Sequence, residues 1–176
     1  MNLRKTILAE HSKSQANKII NWVGDDKKRF AELVHLFLND EYRVVQRAAW
    51  PLSYIAIEHP QLVKPYVGKF VKMLLVKDKH PAVARNVLRF FQFIEIPKKY
   101  HGEIVNACFE FLIKSEYPIA FKAFSMKVLS NITQKEPELK RELKLVIEEL
   151  MKEGSPGIKA RGRNVLLELG KINSEK

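Results

Sequence analysis

Cysteine is almost missing from this sequence. Cys108 is the one thiol in 176 residues, so no internal disulfide can form and a reducing compartment suits the chain. It lies in the apolar stretch Val105-Asn106-Ala107-Cys108-Phe109, which predicts a buried small hydrophobe. Long apolar runs are lacking too. No segment approaches the roughly 18 residues that a membrane helix needs. The N-terminal stretch from Met1 to Glu10 meets a charge after only a few apolar residues, too soon for a signal-peptide core. These absences predict a cytoplasmic chain that makes no use of a membrane. Strand signals are also wanting, because no alternating apolar and polar run is bounded by Asn-Gly or Asp-Gly turns.

Catalytic signatures are equally sparse. There is no glycine-rich phosphate loop, no Gly-x-Ser-x-Gly elbow, no His-Glu-x-x-His and no paired-cysteine metal pattern. His11, His35, His59, His80 and His101 are scattered through different segments and read as structural or solvated rather than as ligands or bases. Glu148, Glu149 and Glu153 read as a solvated helix face. The expectation is a protein with no catalytic residues, no cofactor and no metal site.

What is present is positive charge and a repeat. The formal charge of +11 favours a polyanionic partner, and where that charge sits matters more than its total. Four blocks share one pattern: Leu38–Arg43, Val76–Pro81, Ile113–Pro118 and Met151–Pro156. Their last residues are separated by 38, 37 and 38 positions. Three of them are proline, favoured where a helix opens because its φ is already helical and its missing N–H would have been unpaired there. Upstream of each block lies an amphipathic helix, as in Phe30, Leu33, Val34 and Phe37; downstream lies a partner, as in Val44, Val45, Ala48, Leu52 and Ile55. The spacing predicts helix breaks near 40–43, 60–64, 78–81, 96–98, 115–118, 135–137 and 153–156. Pro51, deep inside the first partner helix, is expected to kink it.

These blocks resemble HEAT repeats, in which an acidic residue precedes a proline and a Val-Arg-like element follows, as Asp78, Pro81, Val83 and Arg85 do here. The basic residue sits one place later than in the usual pattern. The resemblance covers residues 25–172 and implies an all-α chain, a short right-handed α-solenoid of about four antiparallel helix pairs. Residues 1–24 would be an N-terminal helical cap and residues 173–176 a tail, all within one domain spanning 1–176. Small bacterial HEAT-like proteins are similar, and some of them carry the label adenylosuccinate lyase. This chain lacks the serine-rich signature loop of that enzyme and is far shorter than its subunit.

A concave groove lined by the second helices is the binding surface that the resemblance implies. Four residues after each block's end stand Arg47, Arg85 and Lys122; in the fourth repeat Arg163 extends the row. Arg43, Arg47, Trp50 and Tyr54 fall on one helical stripe, and Arg89 follows Arg85 by one turn. Two readings stay open for the row: free cations facing a ligand, or cations paired with the turn acids Asp40, Asp78, Glu116 and Glu153. If the cations are free, a monomer would receive an acidic protein or peptide in the groove. The alternative is a DNA or RNA backbone, since some HEAT-like glycosylases for alkylated bases have a basic concave face. Their catalytic aspartate has no counterpart here, because segments 41–60, 80–97, 118–135 and 155–172 contain no Asp.

Overall fold

The computed structural model describes residues 1–76 and 81–171. Every regular element among the described residues is helical. The chain divides into two compact units, residues 1–95 and 96–176.

The first unit opens with α1 (Leu3–Ala9) and α2 (Lys13–Val23). Side-chain caps start both: the Asn2 Oδ1 accepts from the Lys5 N–H at 3.0 Å and the Ser12 Oγ from the Gln15 N–H at 3.1 Å, satisfying donors that a helix start leaves bare. Gly24, with φ at 50°, ends α2 in a left-handed conformation that glycine adopts without strain. Asp26 then caps α3 (Lys27–Asn39) through the N–H groups of Lys28 and Arg29. The partner of α3 is α4 (Tyr42–Glu58), which runs through Pro51. Proline has no N–H, so the Arg47 carbonyl has no intrahelical donor there. The short α5 (Pro60–Val63) and a 3₁₀ turn at Lys64–Tyr66 lead into α6 (Val67–Leu75), which pairs with α7 (Pro81–Phe91). The core of the unit includes an aromatic chain: Phe37 tilts against Phe70, Phe70 stands edge-on to Phe90 at 4.9 Å, and Phe90 meets Phe91 at 5.3 Å.

The second unit pairs α8 (His101–Ile113) with α9 (Ile119–Ile132), and α10 (Lys140–Glu153) with α11 (Pro156–Lys171). Ile104, Cys108 and Leu112 of α8 are fully buried, as are Met126, Val128 and Leu129 of α9. Leu143, Ile147 and Val165 close the core from the last pair. Burial pushes the Cys108 thiol up to about 12, with the Ser125 hydroxyl opposing the rise. Gly162 is buried where α11 crosses α10, and a Cβ there would come within 2.5 Å of the Met151 Sδ.

The breaks near 40–43, 96–98, 115–118, 135–137 and 153–156 fall close to where the repeat spacing places them. The one expected at 60–64 does not, because α5 occupies 60–63 and the interruption is at His59; the turn at 77–80, including Asp78 and His80, lies outside the described residues. Residues 1–24 form two helices.

One buried hub ties the loops of the second unit. The His101 Nε2 donates to the Ile96 carbonyl at 2.9 Å, and its Nδ1 lies 3.0 Å from the Glu136 Oε1. This contact, helped by Lys98, holds the Glu136 carboxyl below its ordinary range. A depressed folded-state value means that Glu136 stabilises the fold above the unfolded carboxylate's pKa, and that this contribution disappears as pH falls through the folded value. In urea unfolding, wild type is therefore expected to exceed Glu136→Gln in stability at pH 7. The gap should narrow below about pH 4. A gap that persists unchanged at pH 3 would remove the ion pair as its cause.

Candidate functional site: cations on the second helices

Arg43, Arg47, Trp50, Tyr54, Arg85 and Arg89 belong to the first unit, and Lys122 and Arg163 to the second. Their side chains do different things.

Arg47 is half-buried, and its guanidinium donates to the Leu8 carbonyl at 2.7 Å and the Ile7 carbonyl at 3.5 Å. These are last-turn carbonyls of α1, which have no donor of their own and carry the negative end of the helix dipole. Lys122 makes the same kind of contact in the other unit: its ammonium donates to the Leu112 carbonyl at 2.7 Å and the Lys114 carbonyl at 2.9 Å, at the C-terminus of α8. Burial holds the Lys122 ammonium below the usual lysine range.

Pairing with turn carboxylates is therefore not what forms at these two positions. Asp40 is taken instead by Arg4, whose Nε donates to the Asp40 Oδ2 at 2.9 Å and which also reaches Glu41 at 3.2 Å. Arg4 holds the Asp40 carboxyl below the usual range. The physical reason is competition: a half-buried carbonyl at a helix end without a donor costs more than a turn carboxylate that another partner can meet, Arg4 for Asp40 and water for exposed Glu116.

The remaining cations of the first unit are differently placed. Arg43 and Arg85 are exposed and make no hydrogen bond or ion pair among the described residues. Arg89, on α7, lays its guanidinium 5.1 Å from the ring centre of Tyr54 on α4, and Tyr54 is 39% exposed. Arg85 lies one turn before Arg89 on α7, and Trp50 one turn before Tyr54 on α4. Trp50 is half-buried with the His11 ring edge-on at 5.8 Å. The outcome is a surface on α4 and α7 that carries three arginines and two aromatic rings, with no acid on α7.

In the second unit Arg163 is exposed, but the nearby cation Lys127 is taken. The Lys127 ammonium and the Ser130 hydroxyl both donate to the Glu168 Oε2, at 2.8 and 3.1 Å, joining α9 to α11. The charge also divides unevenly: residues 1–95 hold 16 Lys and Arg against 9 Asp and Glu, whereas residues 96–176 hold 15 against 11.

Among the described residues, a cleft lies in each unit where the turn of one helix pair meets the next pair. The first, about 350 Å³, is lined by Phe37, Tyr42, Val45, Met73 and Val83 among others. The second, about 370 Å³, lies between Ile119, Lys122, Leu150 and Ile158. The second also holds Ser155 and Glu153, and the Ser155 Oγ there accepts from the Ile158 N–H at 3.4 Å, as a helix cap does. No group of three or more His, Cys, Asp or Glu side chains able to hold a metal ion occurs among the described residues.

Residues 3–169 match the HEAT repeat domain. The chain belongs to this family. HEAT repeat domains commonly serve as protein-interaction scaffolds, and an all-α fold of the α-solenoid class is what this one has. No curated protein matches it. In this HEAT repeat domain the cation four residues into a second helix has a structural use at Arg47 and at Lys122, so the family's basic position is not in itself a binding signal. No helix among the described residues is long and apolar enough to cross a membrane.

Proposed function

We propose that this HEAT repeat domain is a non-enzymatic binding module whose α4–α7 surface takes an acidic segment of another protein. The observation that carries the reading is the Arg89–Tyr54 contact, with Arg85 exposed and unpaired one turn away on α7 and Arg43 exposed and unpaired about three turns away on α4, among the described residues. Guanidinium groups present planar donor forks that match carboxylates two bonds at a time, and an aromatic ring held beneath one of them gives the contact a fixed geometry. Arginine and tyrosine are also the side chains most often found at energetic centres of protein interfaces.

A fluorescently labelled, glutamate-rich peptide of about 15 residues serves as the probe. Removing both cations in Arg85→Ala/Arg89→Ala is expected to weaken its binding by about tenfold or more, because each hydrogen bond to a charged group contributes about 1–3 kcal/mol. Helix content should not change, since both side chains lie at the surface. Tyr54→Ala should weaken binding with little change in salt dependence. Equal affinity of the double variant and the wild type sinks the reading.

A further inference from the structure

The outer helices of the first unit hold a second basic surface, separate from the α4–α7 arginines. Residues 59–76 contain three lysines and no acid. All three, Lys64, Lys69 and Lys72, are exposed on the turn before α6 and on α6 itself. Lys69 lies 5.7 Å over the Tyr66 ring, and the other two make no side-chain contact with a charged or polar group among the described residues. Beside them stands α3, since Phe30 meets Tyr66 at 5.9 Å and Phe37 meets Phe70 at 6.1 Å. The first turn of α3 adds Lys27, Lys28 and Arg29. Arg29 is pinned, donating to the Trp22 carbonyl at 2.6 Å with its guanidinium 4.9 Å from the Trp22 ring. The acids on these elements are Asp25, Asp26 and Glu32, with Glu58 at the end of α4. Asp26 is engaged in the helix cap, where the N–H groups of Arg29 and Lys28 hold its carboxyl below the usual range.

Folding uses Arg29, which also pairs with Asp26 at 3.8 Å, and tolerates Lys72 in the last turn of α6, but it gains nothing from Lys27 and Lys28. Cations in a first helical turn oppose the dipole at about 0.3–1 kcal/mol each, and neighbouring like charges repel. The surface also lacks the apolar anchors that protein interfaces and membrane insertion use, because Trp22 and Tyr66 already lie under Arg29 and Lys69. Exposed Leu75 and Val76 follow Lys72 by one turn at the end of α6, at the edge of this surface, and are what an apolar partner would have to use. Point charges without anchors suit a ligand whose own charge is regularly spaced and whose sequence need not be read.

We propose that Lys27, Lys28, Arg29, Lys64, Lys69 and Lys72 form a docking surface for the phosphate backbone of a nucleic acid. Each neutralised phosphate releases condensed counterions, so binding falls steeply with salt and shows little sequence preference.

The test is a titration of the full chain with a labelled duplex of about 20 base pairs at 50 and 200 mM salt. Six contacts predict a loss of about a thousandfold in affinity between the two conditions. Lys64→Gln/Lys69→Gln/Lys72→Gln should bind at least about tenfold more weakly at low salt, and its log–log salt slope should be shallower by about 2–3. Unchanged circular dichroism would show that the variant folds. Arg85→Ala/Arg89→Ala should bind duplex as wild type does, which separates this surface from the peptide site. The proposal is overturned by no binding at 50 mM salt, or by a lysine variant with wild-type affinity and slope. It is also overturned if anionic lipid vesicles bind more tightly than duplex and lose that binding in Leu75→Ser/Val76→Ser.

Discussion

Replacing Phe70 by alanine is expected to lower the unfolding free energy by about 3–5 kcal/mol, the largest single-residue effect expected for this domain. The side chain is fully buried, stands edge-on to Phe90 and tilts against Phe37, so it links α3, α6 and α7. Removing it forfeits the transfer energy of a phenyl ring and about 0.5–1.5 kcal/mol from each aromatic pair it breaks. It also leaves a cavity that neighbouring rings, themselves held by other side chains, cannot collapse to fill. Phe70→Leu should lose markedly less, because it restores most of the volume. Urea unfolding followed by circular dichroism measures both. A loss below about 1 kcal/mol for the alanine variant would mean that Phe70 is not the link described.

The second large effect is expected at Gly154, the last link between α10 and α11. Its φ of −67° and ψ of 152° are open to any residue, so the requirement for glycine is spatial. A Cβ would collide with the Leu150 carbonyl oxygen and sit 2.7 Å from the Ile158 Cγ2. The carbonyl is backbone and cannot swing aside. Gly154→Ala should therefore cost about 2–3 kcal/mol, toward the upper end for overpacking, and lower the melting temperature by about 5–10 °C. Gly102→Ala is the control, because nothing lies within 4 Å of a Cβ there and it sits in the first turn of α8. Its melting temperature should stay level or rise slightly, since alanine loses less backbone entropy than glycine. If the two variants melt alike, the close approach at Gly154 is not what constrains it.

The helix pairs were legible in the sequence because repeat spacing and apolar periodicity are local signals. Positions such as Leu33, Phe37, Ala48 and Leu52 announce a buried face within one or two turns, and Pro81 and Pro156 open helices where proline costs least. Side-chain destinations were not legible. The acceptor for Arg47 lies 39 residues away on α1, and the donor for Asp40 is Arg4, 36 residues away. Nothing in the local pattern of either residue encodes such a partner. The buried contact of His101 with Glu136 was hidden for the same reason. Of the candidate row, what the sequence could say was the position of each cation in its repeat; whether a cation is free or spent on a carbonyl is decided by which helix end packs against it. Pro51 was legible as lying inside a helix, and α4 does run through it to Glu58.

The buried thiol of Cys108 gives the second unit its own clock. A thiol attacks alkylating reagents as the thiolate, and burial withholds both solvent and that ionised form. Modification must then wait for α8 and α9 to part, so its rate, divided by that of an exposed model thiol, equals the fraction of time those helices stand open. With no other cysteine in the chain, the signal comes from one place.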